Sequence, residues 1–295
     1  MSGPAAPAGG RLFVVATPIG NLGDVTLRAL EVLRDVPLIA AEDTRLSRRL
    51  LERHGIATRM VSYHARSGPG RLAELLEHLR SGADLALVTD AGTPGVSDPG
   101  AELIAAWAGE GGPVVPIPGA SAVLAAVVAS GVAGPRWSFE GFLPRSGRER
   151  RERIARIAAD ERGSVVYEAP SRVPATLRDL AAACGAERPA TVCRELTKLH
   201  EEIRRGVLGE LAVAAGSGEL TLRGEFVIVV GAGEAGAADG RGGTSAAAAE
   251  ALAEALAEVD RLVAGGASRG DAARRVSAAT GIPRRRLYEP PSERR

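Results

Sequence analysis

The stretch that most constrains this chain is Leu85-Ala86-Leu87-Val88, an apolar run that stops in Thr89-Asp90-Ala91-Gly92-Thr93-Pro94-Gly95-Val96-Ser97-Asp98-Pro99-Gly100. An apolar run with no polar alternation fits a strand covered on both faces, as in a parallel sheet. Gly92, Pro94, Gly95, Pro99 and Gly100 then hold irregular backbone that continues neither strand nor helix. In open α/β sheets ligands bind beyond the carboxyl ends of the strands, which makes this loop a site candidate. An ordinary strand-to-helix connection is the plainer alternative.

Two further segments share the design. Leu12-Phe13-Val14-Val15-Ala16 runs into Thr17-Pro18-Ile19-Gly20-Asn21-Leu22-Gly23-Asp24, and Val114-Val115-Pro116-Ile117 runs into Pro118-Gly119-Ala120-Ser121-Ala122. Neither is a G-x-G-x-x-G fingerprint, and the chain has no P-loop, which argues against a ligand gripped through its phosphates. Loops of this kind suit a ligand with an adenosine and an amino-acid end but no phosphate. S-adenosylmethionine is such a ligand.

Composition narrows the class. At 295 residues the chain has room for two domains, and 45% hydrophobic with 25% charged residues is ordinary for a globular protein. Aromatics make up only 3%, so stacked bases are not expected to be the main mode of binding. A net charge of +1 gives no global pull toward nucleic acid, and any RNA contact has to come from local patches. Cys184, Cys193 and four scattered histidines supply neither a disulfide framework nor a C-x-x-C pattern, so a reducing compartment and no metal are expected. Residues 1–10 lack the charged and apolar regions of a signal peptide and read as a disordered arm. The longest apolar run, 122–129, is too short to span a membrane, and the protein is expected in the cytoplasm.

Leu27, Leu30, Val32 and Leu33 form the stripe of a core-facing helix. Strands are expected over 38–41 and 58–63 and a helix over 72–80, while the apolar run from Ser121 to Val132 reads as a buried helix. A second α/β unit follows, with strands over 138–142, 164–167, 191–194 and 226–230 and helices over 150–159 and 174–183. The expected organisation is an arm at 1–10, α/β domains at 11–117 and 118–232, a Gly/Ala-rich linker at 233–244 and a helical extension at 245–295. Within the extension, 268–288 has the spacing of a helix-turn-helix, with arginines to meet phosphate; a brace for a dimer is the alternative.

Eight motifs in order, spread from about residue 12 to 288, carry a resemblance. They are Thr17-Pro-Ile-Gly-Asn-Leu22, Ala41-Glu-Asp-Thr-Arg45, Asp90-Ala-Gly-Thr-Pro94, Pro118-Gly-Ala-Ser121, Gly141-Phe-Leu-Pro-Arg145, Tyr167-Glu-Ala-Pro170, Arg194-Glu-Leu-Thr-Lys198 and Gly224-Glu-Phe226. Together they resemble the tetrapyrrole methylase superfamily, and within it the branch that methylates ribosomal RNA. The resemblance implies two α/β domains with S-adenosylmethionine in the cleft between them. It also implies a homodimer that methylates the 2'-hydroxyl of a cytidine in 16S rRNA, in the decoding region of the 30S subunit. Cofactor contacts are implied for Pro18, Asp90, Ala91, Gly92, Thr93, Pro94, Ser121 and Ala122 on one side, and for Tyr167, Glu168 and Glu225 on the other.

Methyl transfer from a sulfonium asks the protein mainly to hold donor and acceptor together, which supplies on the order of 7 to 11 kcal/mol. A ribose hydroxyl is a weak acid, so a base or a cation beside the oxygen helps further. Glu42, Asp43, His64 and Glu195 are candidates for the base. Lys198 is the only lysine among 37 basic residues; a compact ammonium kept where all others are arginine suggests a catalytic role, with chance survival of one lysine the plainer alternative. For RNA, Arg145, Arg148, Arg150, Arg151 and Arg153 form a basic patch suited to phosphate, with Arg45 a further contact; a solvated helix start with Arg/Glu pairing is the bland alternative. Two competing functions stay open: methylation of a corrin or porphyrin precursor, and an RNA-binding ribosome-assembly factor without turnover.

Overall fold

The computed structural model describes residues 9–233, 246–280 and 282–288. Nearly all of the expected arm at 1–10 and linker at 233–244 lies outside the described residues. The chain forms two compact units, Met1–Arg241 and Gly242–Arg295.

The first unit holds two five-stranded sheets. In the first, β1 (Leu12–Val15), β2 (Leu38–Ala41), β3 (Met60–Ser62), β4 (Leu85–Val88) and β5 (Val114–Ile117) are ordered β3-β2-β4-β1-β5, and every pairing is parallel. Strands β1, β2 and β4 are buried along their whole length. Their alternate side chains supply two cores. Phe13, Val15, Ile39 and Val88 face one helical layer, while Leu12, Val14, Leu38 and Leu87 face the other. The layers contain α1 (Leu27–Asp35), α2 (Thr44–Arg53), α3 (Pro69–Arg80) and α4 (Ala101–Gly109). Helices α1 and α2 begin on side-chain caps, Thr26 accepting from the Ala29 N–H and Asp43 from the Arg45 N–H.

Helix α5 (Ala122–Ser130) leads to the second sheet. Its strands are β6 (Trp137–Phe142), β7 (Gly163–Glu168), β8 (Pro189–Arg194), β9 (Glu202–Val207) and β10 (Phe226–Val230), ordered β6-β7-β10-β8-β9. Only β6 and β7 run parallel. One face packs on α6 (Gly147–Ala159), α7 (Val173–Cys184) and α8 (Leu208–Ser217), the other on α5. Helix α5 departs from the sequence expectation of a buried helix. Val123 and Ala126 are buried, but Leu124 is 55% and Val128 83% exposed. An all-apolar run has no periodicity to show which side meets the sheet.

In the second unit, α9 (Ala246–Ala264), α10 (Arg269–Thr280) and α11 (Arg284–Tyr288) share a small core that includes Val259, Ala272, Val276 and Leu287. Among the described residues no helix is long and apolar enough to cross a membrane, and no group of three or more acidic, His or Cys side chains is placed to hold a metal ion.

Candidate active site

Beyond the carboxyl ends of the first sheet, loops from both sheets close around a cavity of about 460 Å³. The loops after β1 and β4 are pinned together. The Thr17 N–H donates to the Gly92 carbonyl at 2.8 Å, the Gly92 N–H returns a bond to Thr17 at 3.1 Å, and the Thr17 hydroxyl donates to the Thr89 carbonyl at 3.0 Å. Gly92 has a φ of 78°, a left-handed conformation that side chains with a Cβ resist. From the first sheet Asp90, Ala91, Gly92 and Thr93 line the cavity; Ser121 and Ala122 line it at the start of α5, where Ser121 caps the helix. Tyr167, Glu168 and Glu225 close it from the second sheet. Pro18 and Pro94 shape their loops without reaching the wall.

The wall is acidic. Glu42 at the end of β2 joins Asp90 there, with the Asp90 N–H donating to Glu42 at 3.3 Å and the Asp43 N–H to Asp90 at 3.0 Å. Burial raises the pKa of both carboxyls, and backbone N–H groups oppose the shift. Asp98, which the sequence left unremarked inside its Gly/Pro loop, also lines the cavity. Burial and then the charges of Glu42, Asp90 and Glu225 push its carboxyl up to about 7. No pattern along the chain marks Asp98, because the acids that act on it come from separate segments. Burial also drives the Tyr167 hydroxyl up to about 12, so it stays protonated.

The turn after β8 supports this wall. The Lys198 ammonium bridges Glu195 at 2.7 Å and Glu225 at 3.1 Å, and Glu195 also accepts the Glu225 N–H at 2.9 Å. Burial disfavours the charge on Lys198, but the two carboxylates outweigh it and hold the pKa above its usual value. Lys198 therefore keeps its proton and braces Glu225 without itself lining the cavity. Hydrogen bonding from Lys198 lowers the Glu195 pKa, so Glu195 is committed as a charged partner and is a poor base. Gly20 seats the β1 loop on this turn, since a Cβ there would come within 2.3 Å of the Lys198 Cγ. The described non-glycine residues with left-handed backbone are Ser97, Glu195 and Thr197, all in the loops that carry Asp98 and Lys198. Backbone held in such conformations clusters at functional sites.

Other expected site residues fall elsewhere. Asp43 caps α2 and pairs with Arg45 at 2.6 Å, and the Arg45 hydrogen bond lowers its pKa to about 2; neither lines the cavity. His64 sits in the loop after β3, where its Nδ1 accepts the Arg66 N–H at 3.2 Å. Glu168 reaches the wall, but its carboxylate is occupied by the Thr176 hydroxyl at 2.6 Å and by Arg172 at 3.1 Å. On α6 the basic patch divides. Arg145, Arg148 and Arg151 are exposed, Arg148 in an i,i+4 pair with Glu152. Arg150 is buried on Asp179, Thr176 and the Pro144 carbonyl, and Arg153 is held by Glu140. Both guanidinium groups are thus engaged within the protein.

The chain is similar to known proteins. A family model described as Tetrapyrrole (Corrin/Porphyrin) Methylases matches residues 11–212. Ribosomal RNA small subunit methyltransferase I of Synechocystis sp. (strain ATCC 27184 / PCC 6803 / Kazusa) is 47% identical over 281 residues, covering 95% of this chain and 96% of that protein. Among solved structures, a cobalt precorrin-4 methyltransferase aligns with a TM-score of 0.58 at 17% identity, over 75% of this chain and 94% of its own. Uroporphyrin-III C-methyl transferase from Thermus thermophilus, complexed with S-adenyl homocysteine, aligns with a TM-score of 0.53 at 20% identity, over 75% of this chain and 97% of its own. At such identities the two structures speak for the fold alone.

Proposed function

This chain belongs to the tetrapyrrole methylase family, and on that premise we propose that it is an S-adenosylmethionine-dependent methyltransferase of small-subunit ribosomal RNA. The acceptor is the 2'-hydroxyl of a cytidine in 16S rRNA, and the donor is held between residues 11–117 and 118–232. One observation carries the reading. Seven of the eight motif segments, from two sheets far apart in sequence, meet in one cavity whose charged lining is all acidic.

That lining fits the donor. S-adenosylmethionine, when bound, supplies a methyl group on a positively charged sulfur, and it also carries an ammonium. Glu42, Asp90, Asp98 and Glu225 give the cavity a negative potential that favours such a cation in a partly dry site. Lys198 fixes Glu225 in place, and Glu195 fixes Lys198. The protonated Tyr167 remains a hydrogen-bond donor toward the ligand. For the acceptor, Arg145, Arg148 and Arg151 offer phosphate contacts that position RNA without reading its sequence. The reading extends to a cytoplasmic homodimer. The exposed apolar face of α5, with Leu124 and Val128, supports self-association.

The ribosomal RNA reading stands above the corrin or porphyrin alternative because 47% identity over 95% of the chain links it to a ribosomal RNA enzyme, against 17% and 20% for the corrin and porphyrin enzymes. The test is to label 30S subunits with tritiated methyl donor, digest the rRNA and identify the labelled nucleoside. 2'-O-methylcytidine is expected. Label on a base, or none, would overturn the reading.

A further inference from the structure

Of the aromatic residues whose side chains are described, only Phe142 is exposed, at 54%. It lines the cavity, at the end of β6. A β-bulge puts it there. Phe139 pairs with Val165 of β7, but Gly141 pairs with Val166 and Phe142 with Tyr167, so Glu140 is an extra residue in the ladder. In a regular strand, residues three apart point to opposite faces. The inserted residue reverses that, and Phe139 and Phe142 share the face of Val165 and Tyr167. The ring geometry agrees: Phe139 and Phe142 meet Tyr167 edge-on, with centroids 4.9 and 5.6 Å away.

The bulge is built in, not slack. Gly141 supplies left-handed backbone at a φ of 60°, and a Cβ there would lie 2.9 Å from the Ser97 hydroxyl, in the loop that carries Asp98. Glu140, the extra residue, is held by Arg153. A large apolar ring is thus turned from a position that a regular strand would cover, and fixed at the rim of the site with Tyr167 behind it. The next residues along the chain lead to exposed Arg145 and Arg148.

A flat apolar face at the mouth of a site that receives a nucleotide is suited to stacking a base. Enzymes that act on a nucleotide bring it out of its stack, and an aromatic ring can take the place of the neighbouring bases. We propose that Phe142 is the platform on which the nucleobase of the acceptor nucleotide stacks, placing its ribose toward the cavity while Arg145 and Arg148 hold neighbouring phosphates. This rests on the ribosomal RNA reading above. The low aromatic content still argues against stacking as the source of overall affinity; a single ring sets the position of one nucleotide.

The experiment compares Phe142→Ala, Phe142→Leu and Phe142→Trp for methyl transfer to 30S subunits, S-adenosylmethionine affinity by calorimetry, and thermal midpoint. Stacking on one ring predicts that Ala and Leu each lose about tenfold or more in kcat/KM, that Trp stays close to wild type, and that donor affinity is unchanged in all three. Leu keeps apolar bulk, so the contrast between Leu and Trp decides the matter even where Ala lowers the midpoint. Wild-type kcat/KM in the Leu variant would overturn the proposal. So would a fall in donor affinity matching the loss of kcat/KM, which would assign the ring to the cofactor. Failure of the wild-type protein to methylate 30S subunits would strike the ribosomal RNA reading itself.

Discussion

Asp98 offers a test of the cavity's charge that does not depend on knowing the acceptor. Its carboxyl is pushed up to about 7 by burial and by Glu42, Asp90 and Glu225, so near neutral pH it is divided between its neutral and charged forms. A cation lodged beside it favours the charged form, and binding below that pH releases a proton. Affinity for S-adenosylmethionine therefore rises with pH. Where the bound form keeps Asp98 charged throughout, the penalty for ionising it shrinks up to about tenfold between pH 6 and 8. The ligand's amino group titrates in the same range, at about 8, so the reference is Asp98→Asn measured across the same series. Calorimetric titration in buffers of different ionisation enthalpy reads both affinity and proton release. Wild type should tighten with pH relative to the variant and release a proton, whereas Asp98→Asn should lose that component. The linkage to stability has the opposite sense. A carboxyl whose folded pKa lies above its unfolded value binds more protons when folded, so without ligand the wild-type midpoint should fall relative to that of Asp98→Asn as pH rises from about 4 to 7. Equal pH dependence in wild type and variant would refute the placement of a buried Asp98 among other acids.

Arg148→Glu combined with Arg151→Glu should weaken RNA binding and lower its salt slope by roughly one unit for each phosphate no longer neutralised, with donor affinity unchanged; an unchanged slope would return α6 to a solvated helix. Arg150→Ala should leave that slope alone but cost about 1–3 kcal/mol of stability in denaturant unfolding, because Thr176 and the Pro144 carbonyl lose a buried partner. Lys198→Arg should keep charge and fold yet lower methyl transfer about tenfold, since a planar fork on a stem packed over Gly20 does not reproduce the two-carboxylate bridge; wild-type turnover on 30S subunits would sink this. Gly92→Ala should lose about 1–2 kcal/mol of stability from left-handed backbone alone, because Ile19, the nearest atom to the new Cβ at 3.7 Å, leaves room for it. A loss of several kcal/mol in unfolding would mean that the loop is packed more tightly than its geometry shows.

The first sheet was legible because its strands are short apolar runs that end in Gly/Pro loops, and a parallel sheet buried on both faces writes itself that way. Strand β9 was not, since Glu202, Arg204 and Arg205 sit on a sheet edge where one side faces water and no apolar alternation is needed. Helix α2 is not among the sequence expectations although Asp43 announces it; read only as a candidate base, Asp43 hid its role as an N-cap. Arg150 and Arg151 look alike along the chain, yet helical geometry turns one onto Asp179 and the other to solvent. Motif loops could be named one by one because each has its own local signature. Asp98, Phe142 and the Lys198 bridge depend instead on contacts between segments, and only the assembled fold reveals them.

The most direct measurement offers one preparation of the protein three acceptors under the same tritiated methyl donor: 30S subunits lacking the modification, naked 16S rRNA and a porphyrinogen. Transfer to ribosomal RNA, abolished by nuclease pretreatment and absent with the porphyrinogen, is the result predicted. Transfer to the porphyrinogen, or donor binding without transfer to either form of rRNA, would contradict it.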